Sequence, residues 1–458
     1  MKLLSLGDNK KVILRMALPV IAGLSVQTVL SLVDTAIIGR LPEAKFALAA
    51  LGIAFYATWA VISFFSSLSN GTQILVSRNF GSKNYEECGR VLNSSIIMGL
   101  VLGIIVSFLV VTLSSNIANI FATDKKVGIY AGSYLFYRFM GLPFFLASVS
   151  YRGFYFGIGK TKIFMIAGVF ANLSNIFLDY IFVYGAFGFK GMGLSGAGLG
   201  SAISTGLETS VYVVVSMMKT YRIKYQLFKN FHFNLPDRQS VFNIAKAIVK
   251  LSLPISFQSI FALTGLLLFI SIIGLVGAIQ QAASQVVLSA MFLSFMPSMG
   301  FGVAAQTLVG NQLGESNIKS AKKWGFETSK VSTTYTLLLG IIFVLFPKFV
   351  VSILTTDSSI INIAVPILRI AGFAQIFFGI GFVLANGLLA AGESFFVMLT
   401  DVIINWFVFV PLAYLLGVVF KFGLIGVWTA MPFYTSLYAL IIFLRFNSKV
   451  AMKKIIQY

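Results

Sequence analysis

Two aspartates stand where carboxylates are costly. Asp34 lies in the apolar run "LSVQTVLSLVDTAIIG" and Asp179 in "NLSNIFLDYIFVYG". A charged side chain inside a membrane-length apolar segment marks a functional site by default. On a helix, Asn175 falls four residues before Asp179 and Asn172 seven before, so the three share one stripe. Gln27 falls seven residues before Asp34 and faces the same way. Two carboxylates beside amide oxygens are the ligand types a hard cation takes. They equally suit a proton carrier, because burial and a second nearby acid both favour holding a proton. These residues predict a cation-coupling site of Asp34, Asp179 and Asn175, to which Ser201 in "GLSGAGLGSAIS" can add a hydroxyl. A Na+ ion would be ligated by Asp34, Asn175 and Asp179. Gln27, Asn172, Arg152 and Asp401 are candidates for lining a substrate cleft.

The elements that must carry these residues are membrane helices. The 458 residues are 58% hydrophobic and 10% charged, far below the roughly 25% charged residues of soluble domains. Twelve apolar stretches are long enough to cross a bilayer as helices, among them 13–39, 129–157, 163–185, 193–218, 249–276 and 395–419. Lysine and arginine are skewed. With the N-terminus inside, 24 of the 34 fall in cytoplasmic segments, 7 in outer loops and 3 within spans. That places both termini in the cytoplasm, and it accounts for the net charge of +20 through anionic lipid rather than nucleic acid. The first span reads as uncleaved, not as a signal peptide. Asp34 and Asp179 both sit five or six residues before a glycine that ends their span. At about 1.5 Å per residue they share a depth some 8–9 Å from the outer end.

The chain repeats itself. Leu18-Pro19 is echoed by Leu253-Pro254, "QILVSRNFGSKN" from Gln73 by "QTLVGNQLGESN" from Gln306, and "GLSG" at Gly193 by "GLIG" at Gly423. Arg138 and Arg369 also match. The expected organisation is an all-α integral membrane protein of twelve helices in two pseudo-symmetric six-helix lobes. An N-terminal lobe covers 1–218, a cytoplasmic linker 219–248 and a C-terminal lobe 249–458. Six spans per half keep the two halves in one orientation, with binding expected between or within them. The acid pair is not repeated: Phe269 stands opposite Asp34 and Phe409 opposite Asp179. With one cysteine (Cys88) an intrachain disulfide is excluded, and with one histidine (His232) a His/Cys metal site and a histidine-based catalytic triad are close to excluded. No enzyme is expected.

"LPVIAGLSVQTVLSLVDTAIIGR", the repeated "QILVSRNFGSKN", "YRGFYFGIGKTK", "NLSNIFLDYIFVYG" and "GLSGAGLGSAIS" together resemble the multidrug and toxic compound extrusion (MATE) transporters, over essentially the whole chain. Acids confined to the first half are most similar to the DinF-like prokaryotic branch. The resemblance implies alternating access and efflux of cationic, amphipathic organic compounds in exchange for H+ or Na+, with no cofactor. It assigns Asp34, Asn175 and Asp179 to the coupling site, and Ser201 near the branch's sixth-helix threonine. The branch's tyrosine one turn before the first acid is replaced by Leu30. The expected partners are small organic cations and the bilayer of the cytoplasmic (inner) membrane, not nucleic acid, and the expected state is a monomer. The rival reading is a flippase for lipid-linked oligosaccharides from the same wider superfamily. Its pyrophosphate substrate calls for a basic cavity, whereas only three arginines lie in spans here.

Overall fold

A computed structural model describes residues 6–228, 235–448 and 452, with side chains from Asn9 to Phe228 and from Gln239. His232 and the middle of the expected linker lie outside the described residues. Among those described, every regular element is a helix. The helices are α1 (Leu6–Ile38), α2 (Ala44–Gly81), α3 (Tyr85–Phe121), α4 (Lys125–Met140), α5 (Leu142–Gly157), α6 (Lys162–Tyr184), α7 (Leu194–Met217) and the single turn α8 (Lys219–Arg222). They continue with α9 (Leu235–Val276), α10 (Ala278–Gly314), α11 (Ile318–Leu345), α12 (Pro347–Leu354), α13 (Ser358–Ala390), α14 (Ser394–Val419) and α15 (Gly423–Asn447).

Ten of these helices are long and apolar enough to span a membrane. Two further crossings complete the expected twelve, and each has a local reason for being less obvious. The stretch 129–157 is one crossing broken at Gly141 into α4 and α5. There a methyl would strike the Ala202 backbone, and Pro143 follows with no N–H to continue the ladder. α7 is built on glycine, serine and threonine and carries Glu208, so its hydropathy is low for its length. Small residues at its surface let neighbouring backbones approach closely: Gly196 lies against the Phe182 carbonyl and Gly198 against that of Tyr134. Large apolar side chains such as Phe108, Ile120, Leu173 and Phe407 point outward, as lipid-facing residues do.

The repeats are visible as matching helix ends. Asn84 and Asn317, the last residues of the two echoed motifs, cap α3 and α11 by accepting the backbone N–H of Glu87 and Ser320. The residues before them, Lys83 and Ser316, both take positive φ, 63° and 58°. Gly193 precedes α7 and Gly423 opens α15, with φ of 57° and 61°.

By contact the chain falls into two compact units. One comprises Ala22–Ser252, from the latter part of α1 to the first part of α9. The other takes the described residues up to Ile21 and those from Leu253 onward. Within this second unit, Ile13, Met16 and Ala17 pack with Phe301, Ala304, Ala305 and Val383. A larger core gathers around Phe269, Phe343, Phe409 and Trp428. Pro254 lies inside α9, a continuous helix from Leu235 to Val276.

Candidate functional site: a paired-acid cluster

The site is assembled in the unit spanning Ala22–Ser252 by α1, α4, α6 and α7. Contacts at both ends of their shared length hold α1 against α6. Gly23 is buried beside the Phe164 ring, and further along the Tyr184 hydroxyl donates to the Ile37 carbonyl at 2.7 Å. Between these two contacts Asp34 meets Asp179. Their carboxyls lie within hydrogen-bond reach of each other. Asp179 is fully buried, and Asn175 donates to its Oδ1 at 3.1 Å. That bond is the stripe spacing of four residues made real.

α7 closes the site. A side chain at Gly200 would collide with Asp179 Oδ1, so glycine lets α7 come this near without displacing that carboxylate. The next residue, Ser201, lies beside Tyr134 of α4, and Tyr134 stands within electrostatic reach of both acids. Arg138, one turn further along α4, faces the same two acids and donates to Thr205 Oγ1 at 3.5 Å. It also lines a small cleft with Thr58, Ile62, Phe139, Leu142 and Phe145.

Two oxygens decide the chemistry. Asp34 Oδ1 and Asp179 Oδ2 are buried and have no hydrogen-bond partner. Leaving a charged oxygen desolvated and unpaired costs several kcal/mol. Adjacent carboxylates repel unless a positive charge lies between them. Arg138 offsets part of the pair's charge, and the two free oxygens can accept a proton or a small cation.

The structure thus brings together Asp34, Asp179, Asn175 and Ser201, and adds Tyr134, Arg138 and Gly200. Gln27 is exposed on α1 and Asn172 half-buried on α6, and neither hydrogen-bonds to the acids. Arg152 is engaged elsewhere in the same unit, in a 3.1 Å ion pair with Glu208 of α7. Tyr212 donates to the same carboxylate at 3.3 Å, and Phe145 and Phe164 flank the guanidinium. Sequence reasoning missed Glu208. Its signal was available: it is the one acid in the span 193–218. Asp401 belongs to the other unit, where Gln258 and Tyr434 hold it.

The counterpart of the acid pair in that unit is a hydrophobic plug. Phe269 and Phe409 stack at 4.9 Å between centroids, and Trp428 meets Phe269 edge-on at 5.5 Å. Matching positions meet in both units, but only one meeting is ionisable.

The MatE family model matches the chain twice, over residues 19–181 and 254–415. The chain belongs to the MatE family. The two matches start at the paired prolines and restate the internal duplication. Among MatE relatives, the probable multidrug resistance protein NorM of Thermotoga maritima is 27% identical, over 93% of this chain and 89% of its own length. The probable multidrug resistance protein YoeA of Bacillus subtilis is 22% identical over 84% and 82%. A MATE crystal structure in a straight conformation superposes with a TM-score of 0.86 at 22% identity, covering 98% of this chain and 97% of that one. A MOP-superfamily transporter from Pyrococcus furiosus, described by a binding pocket of reverse polarity, gives 0.82 at 21% over 98% and 97%. The MatE fold, a multi-pass membrane transporter architecture, is therefore that of this chain.

Proposed function

We propose that this protein is a secondary multidrug efflux transporter that exchanges cationic, amphipathic organic compounds for H+ or Na+. The single observation that carries the reading is the Asp34–Asp179 pair, whose buried unpartnered oxygens can accept a positive charge. The multidrug-resistance names of its relatives support the substrate class. Asp34, Asp179 and Asn175 bind the coupling cation, with Ser201 and Tyr134 completing the polar wall and Arg138 limiting how much positive charge the pair accepts. Coupling requires the cation to prefer one of two conformations. α1 is the element suited to report its arrival, because Asp34 and the Tyr184–Ile37 contact lie on it within five residues. In this reading, a cation closing the pair draws α1 toward α6 and lowers the affinity for an organic cation elsewhere in the protein.

Expression in drug-sensitive cells tests the proposal. Tolerance to ethidium should rise, and a protonophore or Na+ removal should abolish the gain. Tolerance unaffected by either treatment would contradict cation exchange.

A further inference from the structure

Arg138 and Arg369 hold matching positions in the two halves of the chain, in "YRFMG" and "LRIAG". The structure treats them differently. Arg369 is exposed, in the unit where Phe269 and Phe409 stand in place of the two acids. Arg138 is half-buried and faces Asp34 and Asp179. The duplication thus carries its own control: the arginine turns inward in the half that has carboxylates to meet.

Arg138 is nonetheless poorly partnered. A guanidinium offers several donors, yet the hydrogen bond Arg138 makes is a 3.5 Å contact with Thr205 Oγ1, at the limit for such a bond. It forms no ion pair among the described residues, although Asp34 Oδ1 and Asp179 Oδ2 are buried and unpartnered. Arg152 and Arg445, by contrast, each hold a buried glutamate, at 3.1 and 2.9 Å.

The backbone at Arg138 is fixed and the side chain is not. α4 is pressed onto α7 there: a Cβ at Gly198 would meet the Tyr134 carbonyl at 2.7 Å and the Arg138 nitrogen at 3.4 Å, and one at Gly141 would meet the Ala202 Cα at 2.8 Å. The side chain lines the small cleft shared with Thr58, whose hydroxyl is buried and unpartnered. A change of rotamer can therefore carry the guanidinium between Thr205 and the acids without moving a helix. Such a move has a use. Two neighbouring carboxylates repel once both are ionised, and an exchanger has to carry its organic cargo after the coupling cation has left.

We infer that Arg138 is the built-in counter-charge of the acid pair: it rests on Thr205 while the coupling cation is bound and swings onto Asp34 and Asp179 when that cation leaves. Arg138 is then a positioning residue that touches neither cargo, and the organic cation does not sit on the acids itself. The inference rests on the cation-exchange reading above.

Proteoliposomes test it with two readouts. Ethidium counterflow, without a cation gradient, reports the drug-carrying half of the cycle. Carboxyl bands in infrared difference spectra, with pH stepped or Na+ added, report cation binding at the pair. In Arg138→Gln the bands should still respond, while counterflow should fall about 100-fold, as expected when a buried charge loses its partner. Arg138→Lys keeps a mobile charge and should restore most of the counterflow. Thr205→Val removes the resting contact and should weaken cation binding roughly three- to tenfold.

Wild-type counterflow in Arg138→Gln would overturn the proposal, because the organic cation would then serve the acids with its own charge. So would loss of the band response together with counterflow, or no recovery in Arg138→Lys. If Arg138→Gln does not fold, Thr205→Val decides: unchanged cation affinity overturns the proposal and weakened affinity supports it. Failure of the exchange reading looks different, since wild type itself would then show neither a cation-responsive carboxyl band nor counterflow.

Discussion

Gly200→Ala puts one methyl group into the acid pair and changes nothing else chemically. A Cβ at Gly200 collides with Asp179 Oδ1 and lies 3.4 Å from Asp179 Cγ. The carboxylate has to rotate, which breaks its 3.1 Å bond from Asn175 and misaligns it with Asp34. A hydrogen bond to a charged group contributes about 1.5–3 kcal/mol. At 1.4 kcal/mol per tenfold, cation affinity should fall roughly 10- to 100-fold. The fold itself should not suffer, because alanine favours a helix over glycine by about 1 kcal/mol. The control is Gly206→Ala on the same helix, where the new methyl meets only the Phe144 ring at 3.9 Å. Ethidium efflux from proteoliposomes, measured against the size of the imposed cation gradient, reads the difference. Gly200→Ala should need a much larger gradient, and Gly206→Ala should match wild type. Wild-type gradient dependence in Gly200→Ala would refute the claim that this carboxylate, in this position, binds the coupling cation.

Three other predictions follow from contacts outside the pair. Arg152→Met leaves Glu208 buried and unpaired and should cost about 3–5 kcal/mol, seen as a lower melting temperature, whereas Arg152→Met/Glu208→Leu should recover most of it. Gly89→Ala drives a methyl into the Tyr225 backbone carbonyl and should destabilise by about 1–3 kcal/mol, again read by thermal melting. Hydrogen bonds from Tyr130 and Lys126 hold the Glu43 carboxyl below its ordinary range. The contact therefore persists at neutral pH and is lost as pH falls through that lowered value. Tyr130→Phe should move the loss to higher pH, followed by amide exchange across residues 40–46.

The acid pair was legible because its members announce themselves: two carboxylates in apolar runs at one depth, with amides at helical spacing. The duplication was legible because helix caps and left-handed turns demand particular residues, so Asn84 and Asn317 keep register across the repeats. Contacts between distant segments were not legible. Glu208 finds Arg152 fifty-six residues away, and Asp401 draws its donors from Gln258 and Tyr434, 143 and 33 residues away. No local spacing encodes such pairs. Tyr134 was missed for the same reason: it reaches the acids from α4, a helix with no intramembrane acid of its own. Gly200 looked like one glycine among several until Asp179 was seen beside it.

The central claim is that Asp34 and Asp179 bind the coupling cation. The direct measurement is ethidium efflux from membrane vesicles under imposed Na+ or pH gradients, comparing wild type with Asp34→Asn at equal expression. One gradient should drive wild-type efflux, and Asp34→Asn, which removes the charge and keeps the shape, should abolish the response. Efflux by Asp34→Asn at the wild-type rate under that same gradient would contradict it.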